Sequence, residues 1–180
     1  MNQKISPRED LERLKSSFDG AFQEVTLPSG GDLPHFLIVH AARAIFALDL
    51  ADLAGVILAP RIIPVPPQKP GLLGLAAVKG RLVSVYSLAY LVGAEDTDGE
   101  PHRWIALCRR ADTIGLGFAE LERIHVVPRS AILPVTAGAP RHAAALIAAG
   151  PSPICLLSLS SIAETITALP LRRTPEKEIK

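Results

Sequence analysis

The chain repeats itself, and the repeat limits what it can fold into. Residues 46–61, FALDLADLAGVILAPR, lie over residues 114–129, IGLGFAELERIHVVPR, at a constant displacement of 68 positions. Leu48/Leu116, Ala51/Ala119, Leu53/Leu121, Pro60/Pro128 and Arg61/Arg129 are identical, and Asp52/Glu120 and Val56/Ile124 are alike in chemistry. Further on, Pro64-Val65 returns as Pro134-Val135, and Val83-Ser-Val-Tyr-Ser87-Leu88 returns as Ile154-Cys-Leu-Leu-Ser158-Leu159. The displacement grows to 70 and then 71, as small loop insertions would produce. One such block could arise by chance; several in the same order describe two related halves.

Each half reads as short strands. Apolar runs bounded by turn residues occur at 36–40, 45–50, 82–86, 104–108, 114–118 and 154–158, and the run at 114–118 alternates, as a strand with one buried face does. Prolines at 60, 64, 66, 67, 70, 128, 134, 140, 151 and 153 exclude long helices from most of the body. Short strands with regular turn signals predict barrels or a sandwich, and an apolar content of 48% over 180 residues suffices for a sizeable core. Residues 143–149 favour helix by propensity, and Gly150-Pro151 stops them. The polar stretch 95–100 is a loop beside the exchange between halves.

The N-terminus follows another pattern. Ser6 suits an N-cap, Pro7 the first helical position, and Glu9 completes a capping box. Leu11, Leu14, Phe18 and Phe22 then share one face, which predicts an amphipathic helix over 6–22. Residues 28–34 have linker composition. The chain therefore divides into a helix and linker over 1–30, a globular body over 35–170 and a polar tail over 171–180.

Several functions are disfavoured. With 19 basic and 18 acidic side chains there is no basic stripe for a phosphate backbone, and aromatics at 4% give no base-stacking platform, so no nucleic-acid partner is expected. The first residues lack the apolar core of a signal peptide, and no stretch is apolar over about 18 residues, so a cytoplasmic location without membrane insertion is expected. Cys108 and Cys155 sit in apolar runs and read as buried thiols, though their even number leaves a disulfide open. His35, His40, His102, His125 and His142 are scattered without metal-ligand spacing, and Gly115-Leu-Gly117 opens no dinucleotide fingerprint. Asp49 and Asp52 do not form an acid–base pair by spacing alone. No catalytic residue, metal or cofactor is expected.

The stretches FALDL at 46–50, IIPVP at 62–66 and GLLGLAAVKGRLVSVYSL at 71–88 together resemble the CheW domain, and the resemblance runs over about residues 35–167. It implies a mainly β fold of two intertwined, SH3-like, five-stranded barrels that share an apolar seam, and a strand rather than a helix at 143–149. It implies a non-catalytic adaptor that links the cytoplasmic tip of chemoreceptors to a CheA-type histidine kinase. In that pattern a helix-like segment follows the Pro-Val-Pro turn. A glycine-rich loop then corresponds to residues 74–80, and a strand ends in an Asp-Leu pair. This chain departs at several positions. The family's loop Asn corresponds to Ala77 and its Arg to Lys79, which keeps the charge but loses the planar fork. A Pro corresponds to Ser84, the Asp of the pair to Ser87 and Ser158, and a Glu to Gly55.

Receptor contacts are therefore expected at Leu75, Ala77, Val78, Lys79, Arg81 and Gly55, with Gly74, Gly80 and Pro64 shaping turns. Kinase contacts are expected at Arg123, His125 and Arg129. Scaffold binding needs exposed apolar groups on a rigid base with a few charges for register. A protein-interaction module or a small-ligand barrel outside chemotaxis would share this composition. A closed apolar cavity would mark the ligand barrel.

Overall fold

The computed structural model describes residues 33–66, 69–94, 101–111, 113–135, 137–148, 150 and 152–169. The helix predicted over 6–22, the linker up to residue 32 and the polar tail lie outside the described residues.

The first half contributes β1 (His35–Ala41), β2 (Ala44–Asp49), β3 (Leu53–Leu58), β4 (Leu72–Val78), β5 (Arg81–Ser87) and the short helix α1 (Leu88–Val92). The second contributes β6 (Trp104–Cys108), β7 (Ile114–Phe118), β8 (Glu120–Val126), β9 (Ile132–Leu133), β10 (Ala143–Ile147), β11 (Ile154–Leu157) and α2 (Leu159–Ala168). These form two mixed sheets, ordered β8-β1-β2-β11-β10-β9 and β3-β6-β7-β5-β4. Each sheet draws strands from both halves. The hairpin β1–β2 pairs with β8 on one side and, in parallel, with β11 on the other. The hairpin β6–β7 pairs with β3 and, in parallel, with β5.

The repeat extends to irregularities. The ladder β3–β6 skips Ala54, and β1–β8 skips Glu122, 68 positions later. The ladder β4–β5 skips Leu73, and β10–β11 skips Ala144, 71 positions later. The bridge Ile63↔Leu75 matches the pair Leu133↔Leu146. Bulges re-aim side chains, so sharing them keeps the same faces inward in both lobes.

Alternation along the strands sorts the core into three clusters. The largest lies between the sheets and includes Leu37, Val39, Phe46 and Leu48 from one, and Leu53, Val56, Ala106, Leu116 and Phe118 from the other. Both helices add to it, through Leu88 and Leu91 and through Leu159, Ile162 and Ile166. Phe36, Ile38, Ala47, Val127 and Ile147 fill one lobe; Ala76, Val78, Val83, Val85 and Ile105 fill the other. Cys108 and Cys155 are free and buried in the shared cluster.

Gly115 and Gly117 show how tightly the first sheet-pair interior is filled. Ile114, Leu116 and Phe118 face the seam, so the glycines face the lobe interior. A Cβ on Gly115 would lie 2.7 Å from Ile105 Cγ2 and 3.1 Å from Val83 Cγ1; one on Gly117 would lie 3.0 Å from Leu73 Cδ1.

Both helices begin on a serine. Ser87 Oγ accepts from Tyr90 N at 3.2 Å, and Ser158 Oγ accepts from Ser161 N at 3.2 Å. The strand implied over 82–88 therefore stops at Ser87, and Leu88 and Leu159 open helices. Serine and aspartate are both strong N-caps, so Ser87 and Ser158 each supply the kind of cap that an aspartate would. Ser87 N donates to Gly71 O and Ser158 N to His142 O, each at 2.8 Å.

Gly71 and His142 thus occupy matching places, both with positive φ, 75° and 63°. A Cβ on Gly71 would strike Tyr90 Cδ1 at 2.4 Å. At the places matching Gly71 and Tyr90, the second lobe has His142 and Ser161, joined by a hydrogen bond of 2.9 Å. Large and small have changed places. Lys69 Nζ donates to Ile166 O at 3.0 Å, so a first-half cation closes the C-terminal end of α2.

Two measurements follow. Gly115→Ala is expected to cost about 1–3 kcal/mol in urea unfolding through overpacking. In an Ile105→Leu background, which removes the obstructing Cγ2, the added cost is expected to shrink, giving a non-additive cycle. Burial, with the charge of Arg141 adding to it, holds the His142 imidazole below its ordinary 6.5. The unfolded chain then takes up the proton first. Stability from the neutral ring is complete above about pH 6.5 and is lost as pH falls through the folded-state value. His142→Asn, which tolerates positive φ, is expected to flatten this part of the stability–pH curve.

Candidate functional site

The residues expected to meet a receptor gather mainly on the β4–β5 hairpin. Val78 pairs with Arg81, so Lys79 and Gly80 alone make the turn. Their φ values are 48° and 76°. A two-residue turn with both φ positive is the type I′ hairpin, favoured by Asn-Gly because most side chains resist that conformation. The glycine-rich loop implied over 74–80 is thus mostly strand, with the turn confined to 79–80. β4 also stands where a helix-like segment was implied after the proline turn. The alternation AAV with a well-packed inner face, together with pairing to β5, decides for the strand.

Alternation divides the hairpin residues. Ala76 and Val78 point into the lobe with Val83 and Val85, so Val78, only 7% exposed, anchors the hairpin and presents no surface. Ala77 faces outward opposite Leu82, and Leu75 is half-buried opposite Ser84. Lys79, Gly80 and Arg81 are exposed. Leu82 is 65% exposed, more than any other large apolar side chain among the described residues. It was not among the sequence candidates. The signal was available: Leu82 interrupts the alternation set by Val83 and Val85.

Gly74 is in a strand, not a turn. It follows the bulge at Leu73 with φ 150°, and a Cβ there would lie 2.2 Å from Ile63 O. That close approach lets Ile63 N donate to Leu75 O at 2.8 Å and Leu75 N to Ile63 O at 2.9 Å. Pro64 follows on the exposed segment so held. Gly55 is on β3, at the far end of the strand order from β4, with open space where a side chain would stand. The sheet order does not bring Gly55 beside the hairpin turn.

The kinase candidates belong to the other sheet. Arg123 and His125 are on β8, an end strand, opposite Ile38 and Phe36. Arg123 is exposed and pairs with Glu122, which also accepts from His40 Nε2 at 3.0 Å. His125 is half-buried, and Arg129 is exposed at the start of a 3-10 turn, Arg129–Ala131. By the repeat, Arg123 matches Gly55. The two candidate groups therefore occupy separate lobes across the seam.

The chemistry of the described residues is quiet. Burial, with Asp52 adding, pushes the Cys108 thiol up to about 12, and burial also raises Cys155, so both stay protonated and unreactive at neutral pH. No three His, Cys, Asp or Glu gather as a metal site requires among the described residues. Nor is any helix among them long and apolar enough to cross a membrane.

Comparison with known proteins agrees with this architecture. A family model described as the CheW-like domain matches residues 35–167. Among solved structures, the chain is similar to the scaffolding protein TtCheW from Thermoanaerobacter tengcongensis. The TM-score is 0.62 at 16% identity, over 71% of this chain and 90% of that one, a likeness of fold. No curated protein matches the chain in sequence.

Gly74→Ala is expected to cost about 3 kcal/mol through backbone strain and the lost Ile63–Leu75 bonds. Hydrogen exchange is the check: the Ile63 and Leu75 amides should lose protection first, while the β6–β7 amides keep theirs.

Proposed function

The chain belongs to the CheW-like domain family, and on that premise we propose that it couples chemoreceptor tips to a CheA-type histidine kinase in the cytoplasm. Family membership makes it a non-catalytic scaffold of the chemotaxis type; the particular partners are our reading. Each lobe is read as a small SH3-like barrel that offers one surface. The β4–β5 hairpin meets the receptor through Leu75, Ala77, Lys79, Arg81 and the newly recognised Leu82. Arg123, His125 and Arg129 meet the kinase on the other lobe.

The observation that carries this reading is Lys79. An L-residue other than Asn or Gly at positive φ costs on the order of 1 kcal/mol, and the cheaper Asn would close the same turn. A strained residue on an exposed tip, beside a 65%-exposed leucine, is an outlier of the kind that points to function. Scaffold contacts of this type join an apolar anchor to a charge that sets register. Tight filling of the lobe interior, where Gly115 leaves no space for a methyl group, speaks against the small-ligand barrel.

Titration against the kinase regulatory domain and a receptor-tip peptide tests the proposal. Lys79→Asn is expected to raise thermal stability, by up to about 1 kcal/mol, while weakening receptor binding. Lys79→Glu is expected to weaken it further, with a folding cost under about 0.5 kcal/mol. Unchanged receptor affinity in both variants removes the hairpin from the interface. No kinase binding at high micromolar concentration removes the coupling role.

A further inference from the structure

The two sheets end on four strands, β8 and β9 in one and β3 and β4 in the other. An end strand offers unpaired amides and carbonyls to any other strand, and charges, shortness or a cover normally block it. Three of the four are blocked. β9 has two residues, β4 is met by Ile63 through the bridge to Leu75, and β8 carries Glu120, Glu122, Arg123 and His125. β3 is LAGVIL, with neither a charge nor a proline.

The edge of β3 is open in its backbone. Ala59 N donates to Arg103 O at 2.8 Å, one step beyond the pair Leu58↔Trp104. Alternation along an antiparallel ladder then turns the peptide groups of Gly55 and Ile57 toward β6, and those of Val56 and Leu58 outward. Among the described residues no other backbone group bonds to Val56 or Leu58 from that side. The Leu58 side chain is 56% exposed. A Cβ on Gly55 would meet nothing within 4 Å, so a second backbone can come close.

We propose that two copies of the chain pair β3 with β3, antiparallel about a two-fold axis at Ile57, over residues 55–59. The amides of Val56 and Leu58 then donate to the carbonyls of the partner's Leu58 and the partner's Val56. Side chains match across the joint. Trp104 and Leu58 continue into the partner's Val56 and the partner's Ala106 on one face, and Ile57 meets the partner's Ile57 on the other. Gly55 meets the partner's Ala59. Pro60, which has no N–H, and the bulge at Ala54 end the ladder on its two sides. This self-complementarity selects a second copy over a foreign strand, and a net charge of +1 gives little long-range repulsion between copies. The second lobe lacks it. Ile57 matches His125, so the same axis on β8 would set His125 against the partner's His125 and bring Glu122 and Arg123 into the joint. The pairing is independent of which proteins the scaffold couples.

So short a ladder is a small contact, and the expected dissociation constant is about 10–100 μM. The full chain, followed by sedimentation equilibrium over about 1–500 μM, is expected to pass from the mass of one chain to that of two. Over the same range the Val56 and Leu58 amides are expected to gain hydrogen-exchange protection, whereas the Ile57 amide, already turned to β6, is not. Leu58→Lys and Leu58→Glu each set like charges diagonally across the axis and are expected to weaken association about tenfold. Mixed in equal amounts, the two chains are expected to regain it, because opposite charges then face each other. A chain that stays monomeric throughout overturns the proposal. So does a dimer that survives both substitutions, or one that forms without protecting the Val56 and Leu58 amides. Failure of the mixture to regain association overturns the axis at Ile57. The exchange measurement needs no variant, so it decides the matter if the substituted chains do not fold.

Discussion

Strand exchange across the seam is the constraint on which the rest depends. The β1–β2 hairpin can complete its sheet only with β8, β9, β10 and β11, and the β6–β7 hairpin only with β3, β4 and β5. Neither half holds a finished sheet. The exchange also creates the largest core cluster, because it brings the outer faces of two sheets together around Phe46, Leu48, Leu116 and Phe118. Partners such as Val39 and Leu121 lie more than eighty residues apart. Such non-local pairing requires long loops to close before its contacts stabilise the chain, which slows folding. Once formed, it packs both sheets against one shared core cluster, with each candidate surface on its own lobe.

Much of this was legible in the sequence, and the failures have physical causes. The repeat at displacements of 68 to 71 announced two lobes, and the alternation of Ile114, Leu116 and Phe118 announced a strand whose glycine face is as purposeful as its apolar one. The helices were not legible. LAYLV in α1 is apolar all round and too short to show a 3.6-residue period. In α2 the β-branched Ile162, Thr165, Ile166 and Thr167 weigh against helix, and the N-cap at Ser158 with burial of Ile162 and Ile166 outweighs them. The sense of Val78 was hidden for another reason. Which residues of a strand face inward depends on register, and the bulge at Leu73 shifts the register before Gly74.

The site was legible as a place more than as a set of atoms. A loop was expected over 74–80 and the turn is confined to Lys79-Gly80, and the positive φ of the lysine is a property of the hairpin geometry that cannot be read from residue type. Leu82 stood out only through its break in the alternation of Val83 and Val85, a signal that the apolar run 82–86 taken as a whole conceals. Ser87 and Ser158 looked like losses of an acidic contact and instead retain the cap. The pairs Gly71/Tyr90 and His142/Ser161 teach the same lesson. Position by position they look unrelated, yet each pair fills the same corner between a positive-φ residue and the first turn of a helix.

The matched bulges at Ala54 and Glu122, and again at Leu73 and Ala144, carry an implication about ancestry. A polypeptide of one repeat alone would lack the partners for its first hairpin and could find them only in a sister molecule. Two such molecules, trading strands about a two-fold axis, would build the same paired sheets. Joining their genes end to end would turn a symmetric dimer into one chain, and only then could the two faces differ, as glycine at position 55 and arginine at 123 do.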